Sequence, residues 1–240
     1  MNNIILETKN LLIGYKNPIL AEINICASRS DFISIIGRNG VGKSTFLNTI
    51  SGIQKPISGK IFVENKDFLK LRIKEKSQLI SFVPSRLEFF SNLSVYDLIA
   101  LGRSPYTNIL DKKTEIDKKI ISEVLENFNL TNLKNKALYE ISDGERQRAM
   151  IGRAITQQTP IILLDEPTAF LDYYTKQKLF VDLLHLTKDK NICVILSTHD
   201  IDIALKYSNK VWLFSEKVEA YTEEEIIQKN VLYELMGYIN

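Results

Sequence analysis

The run Gly37-Arg38-Asn39-Gly40-Val41-Gly42-Lys43-Ser44-Thr45 has the residue types and spacing to wrap a phosphate chain. Glycines let backbone N–H groups turn inward around phosphate oxygens, Lys43 reaches the β and γ phosphates, and the Ser44 hydroxyl is placed to ligate a divalent metal. Gly37, Asn39, Gly40, Gly42 and Thr45 complete the candidate nucleotide-binding set. The apolar Phe32-Ile33-Ser34-Ile35-Ile36 before the loop reads as a strand, and Phe46-Leu47-Asn48-Thr49-Ile50 after it as a helix. That setting implies a nucleoside triphosphate bound with Mg²⁺.

A second candidate is Ile161-Ile162-Leu163-Leu164-Asp165-Glu166-Pro167, an apolar strand ending on two adjacent carboxylates. A buried parallel strand delivers charge at its carboxyl end, where ligands bind in such sheets. Asp165 there would bind Mg²⁺ through water, and Glu166, pointing elsewhere, could polarise the water that attacks the γ-phosphate. A third is Ser142-Asp143-Gly144-Glu145-Arg146-Gln147-Arg148, whose Ser and Glu spacing matches a helix capping box. Such a helix start is ordinary punctuation, yet its exposed N–H groups and dipole also suit an anion. Since one phosphate loop already serves this chain's own nucleotide, the second terminus makes most sense if it addresses ATP held by a partner subunit.

These groups need a scaffold, and strand-like and helix-like segments alternate along the chain as in α/β folds. Strands are expected at Ile4 to Thr8, Ile19 to Ile25, Asp31 to Ile36, Lys60 to Val63, Ile80 to Val83, Ile161 to Leu164, Ile192 to Ser197 and Lys210 to Phe214. From about Ser94 to Gln157 the pattern is helical, with Ile116, Ile120, Val124 and Phe128 recurring at four-residue spacing. The expected division is a nucleotide-binding core, 1–84 and 158–240, with a helical subdomain inserted at 85–157. Short helices are expected from about Thr222.

The composition, 45% hydrophobic, can build a large core, and 31 basic residues nearly cancel 29 acidic ones without clustering. No nucleic-acid footprint is visible. Cys26 and Cys193 lie in apolar stretches and read as buried free thiols of a reducing compartment. No signal-peptide core is visible, and no apolar run approaches the roughly 18 residues of a spanning helix, so a cytoplasmic chain that docks on a membrane protein is expected.

The phosphate loop, the Ser142 segment, Asp165-Glu166, Phe170-Leu171-Asp172 and Ser197-Thr198-His199-Asp200 occur in the order found in ABC transporter ATP-binding subunits, which this chain resembles over nearly its whole length. The resemblance implies a P-loop NTPase with a RecA-like mixed or parallel sheet and an inserted helical subdomain. It also implies an ATPase that works as a head-to-tail dimer, each ATP sandwiched between one phosphate loop and the partner's Ser142 and Gly144. It assigns Asp172 to the loop crossing that interface, His199 to a γ-phosphate contact that helps hold the attacking water, and Tyr15 to stacking on adenine. Without the family, His199 reads as a polar cap and Tyr15 as a half-buried strand aromatic.

Two positions depart from the family pattern. Ser85 stands where a Gln that touches Mg²⁺ is usual; its shorter hydroxyl reaches a metal only if the loop approaches or water intervenes, with Arg86 and Glu88 nearby. Asp143 replaces a glycine, and is expected to face away from the nucleotide and pair with an arginine.

The stretch Asn92 to Tyr106, above all Leu101-Gly102-Arg103-Ser104-Pro105-Tyr106, is similar to importers of ferric siderophores, haem and vitamin B12. That implies a subunit on the cytoplasmic face of the membrane, with permease partners and, indirectly, a substrate-binding protein. Read without the family, the same stretch is a helix ending at Gly102 with Pro105 just beyond. A soluble ABC-type ATPase, for example in iron–sulfur cluster assembly, is the alternative. A P-loop kinase would leave Ser142 to Arg148 and His199 without a role.

Overall fold

The computed structural model describes residues 3–85, 92–107, 112–169, 171–222 and 224–225. The chain begins with β1 (Ile4–Leu12) and β2 (Cys26–Ser28), then β3 (Phe32–Gly37), which runs through the phosphate loop into α1 (Lys43–Ile50). Next come β4 (Ser58–Val63), β5 (Lys66–Asp67), α2 (Ile73–Leu79) and β6 (Ile80–Val83). A helical stretch carries α3 (Val95–Ala100), a 3-10 turn over Leu101–Tyr106, α4 (Glu115–Asn127) and α5 (Asp143–Thr156). The chain returns through β7 (Ile161–Asp165), α6 (Tyr173–Lys190), β8 (Cys193–Ser197), α7 (Ile201–Tyr207), β9 (Lys210–Phe214) and β10 (Val218–Thr222).

Two sheets result. One is antiparallel, in the order β2-β1-β4-β5; the other has the order β10-β9-β3-β8-β7-β6. In the second sheet β9, β3, β8, β7 and β6 are parallel, and β10 joins antiparallel at one edge. Every residue of β3, β7 and β8 is buried, which is why these strands are almost wholly apolar in the sequence.

Among the described residues packing forms three apolar regions. Between the sheets, Phe46, Leu47 and Ile50 of α1 meet Trp212, Phe214 and Ile33. On the other face of the large sheet, Phe180 and Leu183 of α6 cover Phe32, Val194 and Leu196. The helical layer has its own core, with Val95, Ile99, Ile121, Val124, Leu125 and Ala149. Helix α5 serves two of these, because Ile151 and Ala154 face the sheet and Ala149 faces α3 and α4.

Several expectations are corrected. No strand forms over Ile19 to Ile25; only isolated bridges at Pro18 and Ile23 occur there. Asn10 takes a positive φ of 48°, and side-chain bonds interleave with the few backbone bonds that remain, Thr8 N to Ile25 O and the Leu11–Ile23 pair. Thr8 Oγ1 donates to Ile23 O at 3.0 Å and accepts Ile25 N at 3.1 Å, while Asn24 Oδ1 accepts Asn10 N at 2.7 Å. Cys26 is exposed, because Ala27 takes the inward position on this short edge strand and its neighbour must point out; Cys193 is buried as expected.

The apolar stripe of α4 is also displaced. Asp117, Ile121, Val124 and Leu125 face inward, and Ile116 is exposed. Strict four-residue spacing drifts about 40° per step around a 3.6-residue helix, so Ile116 and Phe128 cannot share one face. Helix α3 ends at Ala100 rather than Gly102, and the 3-10 turn carries Pro105 inside it. Strand β10 was not anticipated, and the short helices expected from Thr222 lie largely outside the described residues.

Candidate active site at the strand ends

The phosphate loop starts where β3 ends. Gly42 has φ 112°, a left-handed backbone that favours glycine, and a Cβ there would stand a tight 3.3 Å from Ile19 Cγ2. It precedes α1 without any side-chain cap, leaving the helix start open to an anion. The loop closes around the ammonium of Lys43, which donates to Gly37 O at 2.7 Å and Arg38 O at 3.0 Å. Burial holds the Lys43 pKa below its ordinary value, while the charges of Glu166 and Asp165 act in the opposite direction. Both carboxylates are therefore within electrostatic reach of the ammonium. Asn39 and Ser44 are exposed and Thr45 is half-buried.

Parallel registry brings the other groups to the same rim. Asp165, the last residue of β7, pairs with Ser197 of β8, and Ser197 pairs with Ile35 two residues before the phosphate loop. Asp165 is 3% exposed, and its Oδ1 accepts the Ser197 hydroxyl at 2.6 Å. The same hydroxyl oxygen accepts Glu166 N at 2.9 Å. Glu166 has φ 49°, a left-handed conformation costing about 1–2 kcal/mol for a residue with a side chain. This turn takes its carboxylate off the strand to His199, with Oε1 and Nε2 2.8 Å apart. At that separation the ring nitrogen and the carboxylate oxygen share one hydrogen bond. Both side chains remain partly open to solvent.

The structure thus brings Lys43, Asp165, Glu166 and His199 together around the loop. The registry of Val83 with Leu164 carries half-buried Ser85, just past β6, to the same rim, whereas Arg86, Glu88 and Phe170 lie outside the described residues. Ser142 and Asp172 stand at separate helix starts and spend their side chains there. Ser142 Oγ donates to Glu145 Oε2 at 2.9 Å and accepts Glu145 N at 3.3 Å. Glu145 Oε2 also accepts Ser142 N at 2.8 Å, and this backbone bond, followed by the one from the hydroxyl, holds the Glu145 carboxyl below its usual range. Gly144 lies in the first turn behind Ser142, and Asp143 pairs with Arg146, as expected from sequence. Asp172 caps α6 by accepting Thr175 N at 3.0 Å and the Thr175 hydroxyl at 2.6 Å. Tyr15 is 81% exposed in the turn after β1, which excludes the half-buried strand position.

Sequence reasoning gave Ser197 no role of its own, although it joins Asp165 to the Glu166 backbone. The signal was present as a hydroxyl at the end of an otherwise apolar buried strand.

Comparison with known proteins agrees with this geometry. The ABC transporter family model matches residues 20–169. An uncharacterized ABC transporter ATP-binding protein of Methanocaldococcus jannaschii is 39% identical over 96% of this chain and 81% of its own length. A Bacillus subtilis protein named as a probable siderophore transport system ATP-binding protein is 32% identical over 92% of this chain and 82% of its own. Among solved structures, a dimeric ATP-binding cassette in a post-hydrolysis state with ADP and Pi superposes with a TM-score of 0.82 at 27% identity, covering 91% of this chain and 99% of that one. With its phosphate loop, paired strand-end carboxylates and capped second helix in that fold, the chain belongs to the ABC transporter family as an ATP-binding, ATP-hydrolysing subunit.

Proposed function

We propose that this chain powers import of a metal chelate, of the ferric siderophore, haem or cobalamin kind, by hydrolysing ATP on the cytoplasmic face of a membrane. The observation that carries the catalytic part is the hydrogen bond between Glu166 and His199 beside Lys43 and Asp165. Lys43 stabilises charge on the β and γ phosphates, and Gly37, Asn39, Gly40, Gly42 and Thr45 shape the cradle. Glu166 accepts a proton from the attacking water, and His199 orients that water and contacts the γ-phosphate.

Among the described residues, no three His, Cys, Asp or Glu side chains converge on one point. Mg²⁺ is commonly held by one or two oxygen donors of the protein together with substrate phosphates, and the Asp165 carboxylate and Ser44 hydroxyl are donors of that kind. Ser44, Asp165 and Ser85 would hold it, and the ion would neutralise charge on the phosphate oxygens.

Ser142 and Gly144 serve ATP on the opposite copy of the chain, with Asp172 at the same interface and Tyr15 against adenine. The cassette dimer with ADP and Pi supports this arrangement. Residues 1–84 and 158–240 form the nucleotide-binding core and 85–157 the helical subdomain that meets the permease. Between them lies a groove of about 1400 Å³ lined by Ile53, Ile73, Phe82, Leu101, Pro105 and Met150, apolar enough to receive a permease helix. Among the described residues no helix is long and apolar enough to cross a membrane, so the passage for cargo would come from permease subunits supplied by a substrate-binding protein. The named siderophore relative and the Leu101 to Tyr106 element support the cargo class.

The test uses Glu166→Gln. Turnover should fall by about 10²–10⁴ with ATP binding intact; hydrolysis near the wild-type rate would sink the assignment. Tagged Glu166→Gln, incubated with ATP and Mg²⁺ and recovered from solubilised host membranes, should bring a polytopic permease in near-equal amount. Recovery of soluble assembly factors alone would replace the importer reading with that of a cytoplasmic ATPase.

A further inference from the structure

We infer that Asp200 is a positioning residue for hydrolysis, holding His199 against Glu166 by clasping both the turn after β7 and the first turns of α6. The inference rests on the catalytic reading of Glu166 and His199 given above. Asp200 Oδ2 accepts the Thr168 hydroxyl at 2.8 Å, and Oδ1 accepts Lys176 Nζ at 2.9 Å. Thr168 is two residues past Glu166, so the Asp200–Thr168 bond lies beside the His199–Glu166 bond as a second rung between the same two segments.

On the other side of His199, Thr198 is 1% exposed and its N–H donates to Ile35 O in β3 at 3.1 Å. The Thr198 hydroxyl accepts Asp200 N at 3.0 Å. His199 is therefore held between two pinned neighbours, one fixed to the central strand and the other to Thr168 and Lys176.

Lys176 gives the clasp its reach. It lies on α6 one turn past Asp172, the residue that starts that helix. Lys176 and Asp200 are each only about a quarter exposed, so solvent screens their pairing less than that of surface ions. A shift of the α6 start is carried by Lys176 to Asp200, and by Asp200 to its neighbour His199. His199 and Glu166 do the chemistry; Asp200 and Lys176 act through them.

Steady-state ATPase kinetics on Asp200→Asn, Lys176→Met, their double variant and Lys176→Arg test this. Asparagine keeps the size and one acceptor for Thr168 but drops the charge that holds Lys176. We expect kcat to fall about tenfold in Asp200→Asn and Lys176→Met with KM for ATP within about twofold, and the double variant to be no worse than either single one. Lys176→Arg, which keeps the cation, should restore most of the rate.

The chain has two histidines, so proton NMR with His185→Gln as the assignment control reads His199 directly. Its imidazole resonance should move in Asp200→Asn while that of His185 stays. A folded Asp200→Asn with kcat within about twofold of wild type and an unmoved His199 resonance overturns the clasp, as does Lys176→Arg failing as badly as Lys176→Met. His199→Ala in the same assay separates the two levels. If it turns over ATP normally the catalytic reading itself fails; if it is impaired while Asp200→Asn is not, only the clasp fails.

Discussion

Arg103 and Asp117 meet as a buried ion pair, Nε to Oδ1 at 2.7 Å, with each side chain 7% exposed. Arg103 also donates from Nη1 to Thr156 O at 2.9 Å and Gln158 Oε1 at 3.0 Å, and its guanidinium lies 4.2 Å from the centre of the Tyr106 ring. The Leu101 to Tyr106 element is thereby tied to α4 and to the end of α5. Gly102 packs into the same joint, where a Cβ would stand 2.4 Å from Arg153 O.

Removing one partner of such a pair leaves the other charge buried and unmatched. Arg103→Met should therefore destabilise the chain by about 3–5 kcal/mol. Arg103→Met with Asp117→Leu should recover part of that loss, because the unmatched buried charge is gone while the bonds of the Asp117 carboxylate to Thr114 and of Arg103 to Thr156 O and Gln158 Oε1 stay lost. Urea unfolding of both variants is the check, and a double variant worse than Arg103→Met would refute it.

Acid should act on the same carboxylate. Burial alone pushes the Asp117 pKa up, but hydrogen bonds from the Thr114 backbone and hydroxyl and from Arg103 outweigh it and hold the group below the ordinary range. A depressed carboxyl stabilises the fold above its unfolded pKa, and that stability is lost as pH falls through the folded one. Unfolding free energy should thus decline below about pH 5. Asp117→Asn should be less stable at neutral pH and show a shallower decline. An identical slope in both proteins would mean that other carboxylates carry the effect.

The two thiols should separate cleanly in a reagent titration. Cys26 is exposed and should react at once, whereas burial raises the Cys193 thiol well above its usual pKa and encloses it in β8. One fast equivalent is expected in native protein and a second only with denaturant; two fast equivalents would contradict the placement of Cys193.

What could be read from sequence depended on how local the cause was. Strands β3, β6, β7, β8 and β9 announced themselves because burial on both faces gives near-continuous apolar runs. The phosphate loop and the Ser142 capping box were equally legible, since each is built from neighbouring residues. The edges were not. Whether Ile19 to Ile25 would extend was decided by Thr8 and Asn10 in another segment, and Cys26 faced out because of a choice between two adjacent positions. The inward-facing Asp117 was hidden for the same reason, because its partner is fourteen residues away in sequence. Ser197, Asp200 and Lys176 acquire meaning only when β7, α6 and β8 stand side by side.

Tyr15 offers a test of the adenine end of the site that leaves the fold alone. Its ring is almost wholly exposed, so removing it deletes little core. The turn beneath it is held independently, with Gln54 Nε2 donating to Gly14 O at 2.7 Å. An exposed aromatic on a fixed turn retains a free face for a flat base, and such ring pairs contribute about 0.5–1.5 kcal/mol. Tyr15→Ala should therefore raise the Kd for ATP roughly two- to twelvefold without shifting the unfolding temperature, and Tyr15→Trp should hold wild-type affinity or better. Calorimetric titration in the Glu166→Gln background avoids turnover during the measurement. Because Tyr15→Leu keeps apolar bulk but no π face, it should resemble Tyr15→Ala. Wild-type affinity in all three variants would place adenine elsewhere and leave Tyr15 as a surface residue.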